Sequence, residues 1–477
     1  MAMYLGLNPV AAALGSVPQG SGAAAYLQPY SAGASHVSTI GATVAPAKFT
    51  GSISGTVLTV TAVASGALSV GQYVSSPGNA ISSAGFRPYI VSLGTGTGGT
   101  GTYSISFSQT VASTSLLSYG SASSMAFYHS ADPACFTYFG GGKAATSGVS
   151  QLYSINSTCP SASDNNFPQF IEFDYTARYF EVIQQALSSN SSCGFTLFVD
   201  GVRQDRLGTI CGPTSATNDI YVTPVDLGST GSKKVTIYID NGFVGIFGSV
   251  APTLSTRERN GKVLAIVSDS WAGGANAGGI VRNWPLEVML QTGHDDLINL
   301  SEAGTGWMND SLGTELYSGS REQYGSVKRC SAIARPTTLI YAGSVNDVSM
   351  ASYNTVLNTR VTRGINRALS GCPANMKTYV FGGQYVNLYA KASYTPLDTQ
   401  IASGIAASSY AARVKFLACT SDYTMTGTPW LTGTGTEAAV AGDGNSDLYV
   451  TSDHKHLNAE GQLWWVSKIV AAIAANP

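Results

Sequence analysis

The chain has 477 residues, of which 11% are charged, with a formal net charge of −2 and 54 glycines. So even a balance leaves no basic footprint for nucleic acid and no polybasic patch for a membrane surface. The length accommodates several domains, and the glycine and hydroxyl content favours β-rich, turn-dense architecture over helical bundles.

Met1 to Gly15 is mildly apolar, but the first positive residue is Lys48, so the basic start of a secretory signal is missing. No apolar run reaches the ~18 residues needed to span a bilayer. A soluble product made in the cytoplasm, with no signal peptide and no membrane partner, is the expectation. Cys135, Cys159, Cys193, Cys211, Cys330, Cys372 and Cys419 show no CxxC spacing, which argues against a zinc site and a disulfide scaffold. Reduced, buried thiols are expected, although the four from Cys135 to Cys211 could pair in an oxidising setting.

Before residue 121 the charged side chains are Lys48 and Arg87 alone, with no Asp or Glu. Residues 1–45 read as an irregular Ala/Ser/Gly/Pro arm, and a surface this poor in charge suits burial against other subunits. Residues 46–120 read as a small β module of short strands at Thr56–Thr61, Val70–Val74 and Tyr103–Phe107, with Gly94 to Gly101 as a flexible hairpin loop. That glycine run lacks the Lys-Ser/Thr of a phosphate loop. Gly140-Gly141-Gly142-Lys143 fails likewise, because Ala144 follows.

Residues 121–256 read as a β-sandwich or jelly roll. Phe170 to Tyr175 alternates Ile171, Phe173 and Tyr175 with Glu172 and Asp174, and Asp200-Gly201 joins two strands as a tight hairpin. In isolation such a unit serves as a carbohydrate-binding module or a spacer. From residue 257 to 477 the texture alternates strand and helix. Strands are predicted at 262–267, 296–300, 337–342, 376–382 and 413–419, and a last helix from near Asn458 runs through Trp464, Trp465, Ile469 and Ile473. This is the pattern of a three-layer α/β fold with a parallel sheet covered on both faces, whose ligands bind at the C-terminal strand ends.

Three polar motifs fall at such ends. Ser270 follows the run Val263 to Val267 at a sharp turn, Gly343-Ser344-Val345-Asn346-Asp347 follows a second apolar strand, and Asp453-His454-Lys455-His456-Leu457-Asn458 comes late. A serine on an elbow with a late Asp/His pair is the raw material of nucleophilic ester hydrolysis. Asp453, His454 and His456 could instead hold a metal, but the chain has five histidines and no further ligand motif, so neither metal nor cofactor is expected. Trp271, Trp284 and Trp307 are either sugar platforms or α/β core, and His454 is a loop residue within reach of a substrate role.

Residues 262–477 resemble the SGNH hydrolase superfamily of GDSL-type esterases and lipases. The resemblance is carried by Ser268-Asp269-Ser270, with Ser268 where the family has glycine, and by the glycine of Asn299 to Gly306. It is carried further by Gly343 to Asp347, one residue longer than GxND, and by Asp453 to His456 as DxxH. It implies Ser270 as nucleophile, His456 as base, Asp453 as its orienting carboxylate, and an oxyanion hole from Ser270, Gly304 and Asn346. Asp347 would brace the Asn346 loop.

Residues 49–119 resemble a β module of tailed-phage tail, fibre and appendage proteins, on phrases such as Leu58 to Gly66 and Gly96 to Tyr103. A jelly roll before an SGNH unit also resembles the layout of carbohydrate esterases. Together these imply a virion-borne esterase assembled in the host cytoplasm, removing acyl groups, O-acetyl foremost, from bacterial surface polysaccharide. Its partners would be the acylated glycan, other virion proteins through residues 1–120, and further copies of itself, a trimer by analogy with fibres. Two alternatives stand beside it: a virion adhesin whose SGNH unit binds glycan with little turnover, and a free bacterial carbohydrate esterase or lipase.

Overall fold

The computed structural model describes residues 39–41, 45–75, 88–120, 125–130, 132–139, 169–185, 193–204, 209–212, 219–240, 242–272, 284–301, 304–308, 336–343, 345–349, 353–383, 391–419, 451, 453 and 456–477. Most of the predicted arm, Arg87, Gly140 to Lys143 and His454 lie outside the described residues.

Residues 47–75 and 88–119 hold an antiparallel sheet built on two strands of 19 residues each, Ala47–Ser65 and Gly101–Tyr119, where short strands were expected. Gly51 and Gly55 stand at bulges in the first of these strands. Pairing slips between Gly51 and Ile53 and again between Gly55 and Val57, and each slip bends the strand without ending it. The first strand thereby curls back on itself. Thr61 Oγ1 donates to Thr50 O at 3.2 Å, and a Cβ on Gly51 would sit 2.6 Å from Thr59 O. Phe49, Ile53, Leu58, Tyr103 and Ile105 fill the interior. The Gly94 to Gly101 hairpin is tied down, against expectation: Tyr103 Oη accepts from Gly98 N at 3.0 Å and donates to Gly99 O at 2.6 Å.

Two further antiparallel sheets follow. One runs in the order Thr39–Ile40, Ile220–Asp226, Tyr179–Gln185, Gly242–Gly248, Ala126–His129. The other has seven strands and is centred on Gln169–Tyr175, Lys233–Asp240 and Cys193–Val199. They share one core, in which Phe173 meets Phe180 edge to face at 5.7 Å. Burial of each such ring contributes about 2–3 kcal/mol. Asp200 (φ 51) and Gly201 (φ 80) make the positive-φ hairpin turn.

The seven-stranded sheet is buried on its other face too. Phe170, Phe198 and Tyr238 belong to the same apolar core as the α/β residues behind them. Glu172 lies on that face, 1% exposed, and accepts from Arg257 Nη1 at 2.7 Å and Arg259 Nη2 at 2.8 Å. The acidic positions of this strand are therefore not all solvent positions.

The parallel sheet consists of Val263–Ser268 (β1), Asp296–Asn299 (β2), Thr338–Gly343 (β3), Lys377–Gly383 (β4) and Val414–Leu417 (β5), in the order β2-β1-β3-β4-β5. Each strand overlaps its predicted segment. The helices among the described residues are Trp284–Gln291 (α1), Tyr353–Leu369 (α2), Lys391–Ala406 (α3) and Ala459–Ala475 (α4). Strand order reverses between β1 and β3, so right-handed crossovers send α1 and α2 to opposite faces. Packing follows suit, α1 against α4 and α2 against α3. The C-terminal ends of β1 and β3 flank the resulting crevice. No helix among the described residues is long and apolar enough to cross a membrane. Cys135 and Cys419 are buried and Cys372 is half-buried.

Between α1 and β2, His294 is clamped by Thr292 Oγ1 on Nδ1 (2.7 Å) and Thr338 Oγ1 on Nε2 (2.8 Å). The Thr292 hydroxyl donates to Val288 O, so Nδ1 carries the proton in this pair. Burial, helped by the Lys262 charge, lowers the His294 pKa from 6.5 to about 4. A depressed pKa means the neutral ring stabilises the fold fully above pH 6.5, and that contribution is lost as pH falls towards 4. Urea midpoints measured across this window should decline in the parent and decline less steeply in His294→Gln.

Candidate active site

β1 ends at Ser268 and the chain turns at once. Ala272 N donates to Asp269 O at 3.2 Å and Trp271 N to Asp269 Oδ1 at 3.0 Å, which leaves Ser270 at the tip. Neighbouring elements hold the turn from two sides: Asn299 Nδ2, at the end of β2, donates to Ala272 O at 3.0 Å, and Gln462 Nε2, on α4, donates to Trp271 O at 3.0 Å. Asp269 is fully buried, whereas Ser270 keeps 9% of its surface.

The second segment closes on itself through Thr451 N donating to His456 O at 2.9 Å. Asp453 Oδ1 accepts from Thr451 Oγ1 at 2.7 Å and from His456 N at 3.1 Å. Asp453 Oδ2 lies 2.5 Å from His456 Nδ1, and His456 Nε2 lies 2.8 Å from Ser270 Oγ. With the Nδ1 proton directed at the carboxylate, Nε2 presents its lone pair to the serine hydroxyl, the arrangement a general base requires. Asn458 caps α4 by accepting from Gly461 N at 3.0 Å, so the helix starts almost immediately after the histidine.

Gly304, in the loop after β2, has φ 76, and Gly343, ending β3, has φ 141; both lie in the left-handed region where a Cβ is strained. Asn346 sits in a 3₁₀ turn, Val345–Ser349, directly after β3. Its Nδ2 donates to Thr305 O at 3.0 Å, which joins the turn to the loop carrying Gly304. The fully buried Asp347 makes the same connection with its carboxylate, accepting from Trp307 N at 2.9 Å and Met308 N at 2.8 Å. A Cβ on Gly306 would approach Asp347 Oδ1 to 2.5 Å.

Asp347→Ala should therefore cost about 3 kcal/mol, two charge-assisted hydrogen bonds being lost inside the protein. Denaturant unfolding reads the loss.

The structure thus brings Ser270, His456 and Asp453 into one hydrogen-bonded chain and ties Asn346 to the Gly304 loop. It corrects the platform reading of Trp271 and Trp307. Trp271 is 0% and Trp307 1% exposed; the first packs edge-on against Trp465 at 6.0 Å and the second stacks on Tyr341 at 4.8 Å, so neither offers a face to a sugar. Sequence reasoning missed Thr451, Asn299, Gly306 and Gln462. A threonine two residues before Asp453 was a readable signal; the others act through tertiary contacts that no local pattern announces. Among the described residues no group of three His, Cys, Asp or Glu side chains could hold a metal ion.

The fold is similar to that of one solved structure, and weaker similarities to others are found. A salicylyl-acyltransferase from a tetracycline biosynthetic pathway superposes with a TM-score of 0.51 at 14% identity, over 74% of this chain and 99% of that one. A family two carbohydrate esterase from Clostridium thermocellum, an active-site mutant, matches at 0.49 and 12% identity over 72% and 98%. A putative GDSL-like lipase from Bacteroides ovatus matches at 0.47 and 14% over 71% and 97%. No family model and no curated protein matches the sequence.

Proposed function

We propose that the chain is an SGNH-type serine esterase that removes acyl groups, O-acetyl foremost, from bacterial surface polysaccharide. The observation that carries this reading is the Ser270–His456–Asp453 chain of contacts, at 2.8 and 2.5 Å, at the end of β1 beside the switch point. Ser270 Oγ attacks the ester carbonyl carbon as its proton passes to His456 Nε2. The resulting imidazolium is held by Asp453, and the oxyanion by the Ser270 and Gly304 N–H groups with the Asn346 carboxamide. Collapse expels the sugar alcohol, which takes the proton from His456. Water, deprotonated by the same imidazole, then releases the carboxylic acid and restores the serine.

Anchoring is assigned to residues 1–45 as an arm and 46–120 as a phage-appendage-like module, with 121–256 as a jelly roll that spaces or grips, in a homo-oligomer on a virion. Support comes from the scarcity of charge before residue 121. Lys48 is engaged with Asp219 at 2.6 Å, while Val57, Val70, Tyr89, Val91 and Leu93 are exposed.

The test is acetate release from acetylated xylan and from capsular polysaccharide, set beside hydrolysis of long-chain p-nitrophenyl esters. Preference for the acetylated glycans is expected. Preference for long-chain esters would favour a lipase, and glycan binding without acetate release would favour an adhesin.

A further inference from the structure

We infer that Gln462 is a positioning residue that sets the separation of Ser270 and His456; the inference rests on the esterase reading above. The nucleophile and the base come from segments distant in sequence, and their 2.8 Å contact exists only while the turn after β1 is held against the start of α4. Gln462 spans those same two segments. It stands in the first turn of α4, its N–H bonded to Asn458 O at 2.9 Å, and its Nε2 donates to the carbonyl of Trp271, next to the nucleophile, at 3.0 Å.

The other end of the carboxamide is also committed, since Oε1 accepts from Trp284 N, at the start of α1, at 3.1 Å. A flipped amide would face oxygen with oxygen and N–H with N–H, so the two partners fix its orientation. With Gln462 1% exposed, neither bond is readily exchanged for water. One turn along α1, Glu287 is ion-paired with Arg203, which anchors this crossbeam to the seven-stranded sheet. Asn299 holds the turn from the β2 side, its carboxamide shared between Ala272 and Ser301. Gln462 therefore hydrogen-bonds the nucleophile's turn to the helix following the base, beside the apolar contact of Trp271 with Trp465.

A misplacement of about 1 Å between reacting groups costs roughly 100-fold in rate. The test uses the full chain carrying Gln462→Met, which removes both hydrogen bonds at similar volume, and Gln462→Asn, which keeps the amide but falls short of spanning both partners. On p-nitrophenyl acetate, kcat and the pre-steady-state acylation rate should fall roughly 100-fold in the Met variant, with KM changed less than about three-fold. The Asn variant should fall between it and the parent. A purely structural role predicts a lowered unfolding midpoint with kcat per folded molecule unchanged, and that result overturns the inference. If the parent itself shows no Ser270-dependent turnover, the esterase reading fails; if the parent turns over and both variants match it, Gln462 alone is wrongly assigned.

Discussion

Replacing Ser270 with alanine is expected to lower kcat for p-nitrophenyl acetate by about 10⁴-fold or more, with the unfolding midpoint essentially unchanged. The side chain is small and sits at the tip of a turn whose hydrogen bonds are made by Asp269, Trp271 and Ala272, so its removal disturbs little packing. What disappears is the oxygen that Nε2 activates. His456→Ala should be similarly damaging, and the double variant no worse than either single one, because the groups act as a unit. Asp453→Asn should cost about 10³–10⁴-fold through loss of the Nδ1–H orientation. Additive losses in the double variant would argue that the 2.8 Å contact is incidental.

Breaking the buried pair between Arg203 and Glu287 should have the largest effect on stability. Their side chains are 2% and 6% exposed, and they join the sandwich hairpin to α1. Removing one partner strands a charge in the interior, which costs about 3–5 kcal/mol. Arg203→Met should lower the urea midpoint accordingly, and Arg203→Met combined with Glu287→Leu should recover much of the loss. The same geometry predicts that residues 257–477 expressed alone do not form a stable unit, since Phe170, Phe198 and Tyr238 complete their core. A cooperative, soluble fragment with the parent's unfolding midpoint would contradict this.

Much of the α/β part was legible because its signals are local. A strand buried on both faces is a continuous apolar run, as in Val263 to Val267, and its end is marked where polar residues begin. Ser270, Asn346, Asp453 and His456 each follow such an end or sit before a capped helix, so their order along the chain maps onto one edge of the sheet. The long bent strands were not legible, because Gly51 and Gly55 look the same as turn formers or as bulges until their partner strand is known. Nor was the burial of Glu172, whose two arginine partners lie some 85 residues downstream. Trp271 and Trp307 stayed between two readings for a related reason: an indole beside a polar motif reads alike as a platform or as core, and packing against Trp465 and Tyr341 decides for core.

The central claim is that Ser270 is a nucleophile activated by His456. Its most direct measurement is intact-mass analysis after exposure to a fluorophosphonate, followed by peptide mapping. The account predicts one adduct per chain, on the peptide containing Ser270, formed by the parent and not by His456→Ala. No adduct on the parent, or an adduct on a different residue, would contradict it.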